Sequence, residues 1–186
     1  AIASALHGDT SPAGRERRRK VSAALQGRID ELDPTRPRIA EPDPTVRRLA
    51  YVVHGIRDYG EWGESIASEL RAEAERGGER MVVVNPRYGH FAMAPFLLYW
   101  DRQRNVRWFM DVFTENLARY PNLESVDFVG HSNGTYILGS ALQKYRSLQF
   151  RRVYFAGSVV PKHYPWRPLL DEGRLGQVAN VAASGD

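Results

Sequence analysis

Five consecutive residues near the middle of the chain have the types and order that acyl transfer needs. Gly130-His131-Ser132-Asn133-Gly134 follows the apolar run Val126–Val129 directly and opens a stretch with helical spacing. A strand-to-helix turn this sharp forces its central serine into a strained backbone conformation and holds the hydroxyl out above the sheet edge. Gly130 and Gly134 let strand and helix approach with no Cβ between them. The helix N-terminus then offers backbone N–H groups to a developing oxyanion. The plainer alternative is a βα turn that happens to hold a serine.

A second turn has matching chemistry. His54-Gly55 closes the run Tyr51-Val52-Val53 and leads into Ile56. A glycine there lets the chain turn out over the sheet edge and present a backbone N–H. Acyl transfer needs two donors aimed at the oxyanion, and the candidates are the N–H groups of Ile56 and Asn133. Alone, His54-Gly55 is equally well read as a simple turn. Two strands ending at one edge, each with half of an oxyanion hole, make a stronger signal.

The elements that must hold these turns follow from hydrophobic spacing. Strands are expected at Leu49–His54, Met81–Val84, Val126–Gly130, Val153–Ala156 and, more weakly, Val178–Ala183. Helices are expected at Glu61–Ala74, Arg102–Tyr120 and Asn133–Tyr145. Short strands that are apolar on both faces and alternate with helices predict an α/β fold: a mostly parallel open sheet with helices on both faces. Residues 47–186 form this core. Residues 1–46 precede it, with a helix over 14–32 carrying Val21, Leu25, Ile29 and Leu32 on one face. Pro34, Pro37, Pro42 and Pro44 then forbid helix and favour an extended tether. That helix is expected to pack on the core or on a partner.

With these motifs in place, residues 47–186 resemble the α/β-hydrolase superfamily of serine esterases and lipases. The resemblance rests on His54-Gly55-Ile56, on Gly130-His131-Ser132-Asn133-Gly134 and on the order of elements between them. It implies a sheet with the Met81 strand at one side, followed by the Leu49, Val126, Val153 and Val178 strands. It also implies a catalytic triad in the chain order serine, acid, histidine. Asp186, after the last strand, is in the place of the acid that would orient a histidine. The alternative for Asp186 is a residue of a frayed terminus. The histidine itself is expected beyond Asp186, so the core is read as truncated at its C-terminus and lacking its base. His90 and His163 lie in loops after strands and are read as pocket or surface residues, and His131 is expected to point away from Ser132.

Two loops flank the site. Residues 86–101 hold Tyr88, His90, Phe91 and further large apolar side chains, which suit an acyl or alcohol pocket or ordinary core packing. Residues 159–177 include His163 and are in the place where a lid would arise by analogy.

Composition narrows the rest. There is no cysteine, which removes disulfides, thiolate nucleophiles and cysteine-ligated zinc together. No metal-ligand spacing or phosphate-binding glycine loop is present, and no cofactor is expected. Arg15, Arg17, Arg18, Arg19 and Lys20 supply much of the net charge of +4. The run reads as a solvated helix face or as a contact for an anionic membrane. No nucleic-acid partner is expected, because no aromatic residues interleave the run. Cytoplasmic residence is expected from the absence of cysteine and of a secretory signal. The function that follows is hydrolysis of a small ester or acyl substrate through an acyl-enzyme on Ser132. The alternatives are a non-catalytic binding module of the same fold and a basic accessory domain at a membrane or nucleic acid.

Overall fold

The computed structural model describes residues 41–55, 61–78, 80–86 and 99–181, together with residues 13, 14, 16, 17, 19, 20 and 24. Five strands form one sheet: β1 (Arg48–Val53), β2 (Met81–Val84), β3 (Ser125–His131), β4 (Phe150–Ala156) and β5 (Leu175–Val181). Among the described residues four helices lie between them: α1 (Glu61–Arg76), α2 (Tyr99–Arg119), α3 (Asn133–Lys144) and α4 (Trp166–Asp171). The strand order is β2-β1-β3-β4-β5, and every pairing is parallel. This is the α/β sheet expected from the sequence, in the expected order.

The topology decides which face each helix covers. The chain steps from β1 to β2 in one direction, then crosses back over β1 to β3 and continues outward. Right-handed crossovers in opposite directions put their helices on opposite faces. Accordingly α1 covers one face, with Ala67, Trp62, Ile66 and Leu70 against Ala50, Val52 and Val83. Helices α2, α3 and α4 cover the other. There Tyr51, Phe109, Phe113, Phe128, Phe150 and Phe155 form a chain of aromatic contacts with ring centroids 5.4–6.3 Å apart. Edge-to-face pairs of this kind add to the free energy of burying the rings.

Several boundaries differ from the sequence expectation, each for a visible reason. β4 begins at Phe150 and β5 at Leu175, three residues early in each case. Arg151, Arg152, Gly176 and Gln177 hide the apolar alternation there. Helix α2 begins at Tyr99, so Tyr99 and Trp100 belong to its first turn and not to a covering loop. The segment 159–177 is not a lid among its described residues. Tyr164 and Leu169 are buried, and Trp166 packs on Phe155 with centroids 5.5 Å apart. The Tyr164 hydroxyl donates to the Gly139 carbonyl of α3 at 2.7 Å, and burial pushes its pKa up to about 12. Arg174 is buried and donates to the Leu142 and Tyr145 carbonyls at the C-terminus of α3, where a cation is favoured.

The strands are not all apolar on both faces. β5 buries Leu175 and leaves most of its other residues exposed; among the described residues α1 packs mainly on β1 and β2. In β3, Asp127 faces the same side and takes three arginines: Arg151 at 2.7 Å, Arg48 at 3.3 Å and Arg152 at 3.5 Å. Burial alone would raise the Asp127 pKa. Hydrogen bonds and charge from Arg151, with Arg152 and Arg48, outweigh it and hold the carboxyl below its usual range. A carboxyl depressed in the folded state stabilises the fold at neutral pH and loses that effect as pH falls through its folded value. Asp127→Asn should therefore cost about 1 kcal/mol near neutral pH, the exposed arginines being screened by water. The gap from wild type should narrow towards about pH 3. Urea unfolding at the two pH values measures this, and a gap independent of pH would contradict it.

Candidate functional site

The C-terminal edge of the sheet gathers the turns singled out in the sequence. Val53 is paired with Gly130 across β1 and β3, and His131 with Ala156 across β3 and β4. His54-Gly55 and Ser132 therefore leave adjacent strands at the same level. They do so between β1 and β3, where the direction of winding reverses and open sheets bind ligands.

Ser132 has φ 51° and ψ −116°. It is the one non-glycine residue with positive φ among the described residues. Such a conformation costs about 1–3 kcal/mol and persists only where the surroundings enforce it. The enforcing bonds are visible. Ser132 N–H donates to the Ala156 carbonyl at 3.2 Å. Its own carbonyl accepts from Thr135 twice, from the N–H at 3.0 Å and from Oγ1 at 2.6 Å. Thr135 Oγ1 in turn accepts from Val159 N–H at 3.1 Å, which ties the elbow to the segment after β4.

The side chain is then free of local duty. A serine that precedes a helix ordinarily turns its hydroxyl back to cap the first N–H groups. The Ser132 hydroxyl makes no such bond. Space is cleared around it by missing side chains. A Cβ on Gly55 would lie 2.7 Å from Ser132 Cβ and 3.1 Å from its Oγ. A Cβ on Gly134 would overlap the Val53 carbonyl, so only glycine lets α3 start so close to β1. Gly130 carries the same restriction against Phe128 and Gly134.

Asn133 is the first residue of α3 and is buried. Its N–H belongs to the first turn of α3, where the helix dipole favours negative charge, which is the place expected for half of an oxyanion hole. The second expected donor, Ile56, lies outside the described residues, as do Tyr88, His90, Phe91 and Asp186.

The described histidines serve the frame. His54 is buried, and its Nδ1 lies 2.6 Å from the Gly55 carbonyl, which requires that nitrogen to carry the proton. The His131 ring packs on Trp62 with centroids 5.1 Å apart. It lies against both Gly55 and Gly157, whose added Cβ atoms would come within 3.4 Å and 3.3 Å of it. His163 is exposed on the turn before α4. The structure thus brings together Ser132, Asn133, Gly55, Gly130, Gly134, His54 and His131. Among the described residues no group of acidic, histidine or cysteine side chains is arranged to hold a metal ion.

Sequence reasoning missed Thr135 and Gly157. Thr135 is read as an ordinary helix residue unless one asks what holds the serine carbonyl three positions earlier. Gly157 has φ 53°, and its one sequence signal is its place directly after β4. No protein-family model matches the chain, and no curated protein matches it in sequence.

Removing the Cβ of Ser132 relieves the strain of its positive φ. Ser132→Gly should raise stability by roughly 1 kcal/mol despite the entropy cost of glycine, and Tm by about 3 °C. Ser132→Ala keeps the Cβ and should leave Tm nearly unchanged. Calorimetry on the two variants measures the difference; equal Tm values would contradict the strain.

Proposed function

We propose that the chain is a serine hydrolase of α/β-hydrolase type that cleaves small carboxylic esters through an acyl-enzyme on Ser132. The observation that carries this reading is a serine held at positive φ whose hydroxyl is not used as a helix cap. A structural serine has no need of that conformation, and a nucleophile does.

In this reading Ser132 Oγ attacks the substrate carbonyl, and the carbonyl oxygen gains negative charge. The Asn133 N–H, at the positive end of α3, and the Ile56 N–H receive that charge. A general base takes the serine proton and gives it to the leaving alcohol, with Asp186 in the place of the acid that would orient that base. Water repeats the sequence on the acyl-enzyme and releases the acid. Oxyanion donors that are fixed before the reaction supply about 3 kcal/mol each to such a step. The same frame serves amides and thioesters. A small-molecule acyl compound is therefore the proposed substrate class, with no cofactor.

Turnover of 4-nitrophenyl esters of increasing acyl length tests the reading in the full protein. Ser132→Ala should lower kcat by about a thousandfold or more while leaving the fold intact. Equal turnover by wild type and Ser132→Ala would overturn it.

A further inference from the structure

Thr135 lies in the first turn of α3 and is fully buried. Threonine is an indifferent helix former, and a buried hydroxyl is tolerated only where its hydrogen bonds are made. Both are made here. The Val159 N–H can only donate, so Thr135 Oγ1 accepts from it at 3.1 Å. The Ser132 carbonyl can only accept, so the hydroxyl proton lies on that side, across 2.6 Å. The hydroxyl therefore has one orientation, and it is spent on the residue proposed as the nucleophile.

That carbonyl is one end of the peptide unit whose other end is the Asn133 N–H. The unit is trans and planar, so its C=O and N–H point in opposite directions. The carbonyl is directed along α3 towards Thr135, whose backbone N–H also reaches it, at 3.0 Å. The Asn133 N–H is directed the other way, out of the N-terminus of α3 and over the sheet edge. Rotation of this plane is the ψ angle of Ser132, which stands at −116°. The same angle sets where the N–H lies relative to the serine side chain. Any residue at 135 would supply the backbone N–H; the hydroxyl is what threonine adds.

The bond also reaches beyond the helix. Val159 follows β4, and Gly157 in the same segment donates its N–H to the Val181 carbonyl at the end of β5. Thr135 thus fixes the peptide plane against the ends of two further strands. The Ser132 N–H, on the other side of the strained residue, is held separately by the Ala156 carbonyl.

We propose that Thr135 is a positioning residue for the oxyanion donor: its hydroxyl holds the Ser132–Asn133 peptide so that the Asn133 N–H meets the charge developing on the substrate oxygen. The inference rests on the esterase reading of Ser132 and adds to it a residue that does not touch substrate. Charge on that oxygen is greatest in the transition state, so a misaligned donor lowers kcat and leaves KM little changed.

Thr135→Val keeps the shape of the side chain without the hydroxyl, and Thr135→Ser keeps the hydroxyl. In the full protein, Thr135→Val should lower kcat for 4-nitrophenyl acetate about tenfold at nearly constant KM, and Thr135→Ser should recover most of the loss. The specific readout is the preference for this ester over its thionoester, whose sulfur is a poor hydrogen-bond acceptor. That preference should fall about fivefold in Thr135→Val and stay at the wild-type value in Thr135→Ser. Thr135→Ala, which favours the helix more, should show the same fall as Thr135→Val. Tyr164→Phe removes another buried hydroxyl that bonds an α3 carbonyl and should leave the preference unchanged. Rates are taken per folded chain, measured by circular dichroism at the assay temperature. An unchanged preference in both Thr135→Val and Thr135→Ala, or an equal fall in Tyr164→Phe, overturns the inference and leaves the nucleophile in place. Turnover that is absent, or that survives Ser132→Ala, overturns both.

Discussion

The structure turns on one backbone constraint. Strand β3 ends and α3 begins with a single residue between them, and that residue, Ser132, must take φ 51° to make the turn. Everything nearby follows from tolerating it. Gly134 is needed because α3 starts against the Val53 carbonyl, and Gly55 because the serine occupies the place of its side chain. Thr135 and Ala156 hold the strained peptide by its carbonyl and its N–H. The hydroxyl is left without the cap hydrogen bond that a serine before a helix ordinarily makes. Sheet, helix and glycines together display one oxygen.

The second organising feature is the reversal of winding between β1 and β3. It puts the two turns side by side and sends α1 to one face and the remaining helices to the other. The α2–α4 face is a closed aromatic core. On the other face, among the described residues, α1 packs over β1 and β2, and beyond it the charged cluster at Asp127 lies within the sheet. Charged residues are tolerated mid-strand because each guanidinium shares the Asp127 carboxylate and part of the cluster stays in contact with water. No helix among the described residues is long and apolar enough to cross a membrane.

Much of this was legible in the sequence. Gly130-His131-Ser132-Asn133-Gly134 and the apolar runs around it located the elbow, because glycine and strand periodicity are local signals. Strand order followed from the resemblance that the motifs supported. Other features depend on neighbours distant in sequence. Asp127, Arg151 and Arg152 look like surface residues until β3 and β4 are paired. Helix α4 is short and begins after Pro165, so it resembles a loop. Exposure of β5 depends on which helices reach it, and the support from Thr135 depends on the path of the Val159 segment. Local chemistry was readable; the bonds between distant segments were not.

The central claim is that Ser132 is a displayed nucleophile. The most direct measurement is intact-mass and peptide mass spectrometry of the full protein after exposure to an alkyl fluorophosphonate. The account predicts one phosphonyl group per chain, on Ser132, absent in Ser132→Ala and blocked by prior occupation with an ester substrate. Absence of an adduct, or an adduct on a different residue, would contradict it.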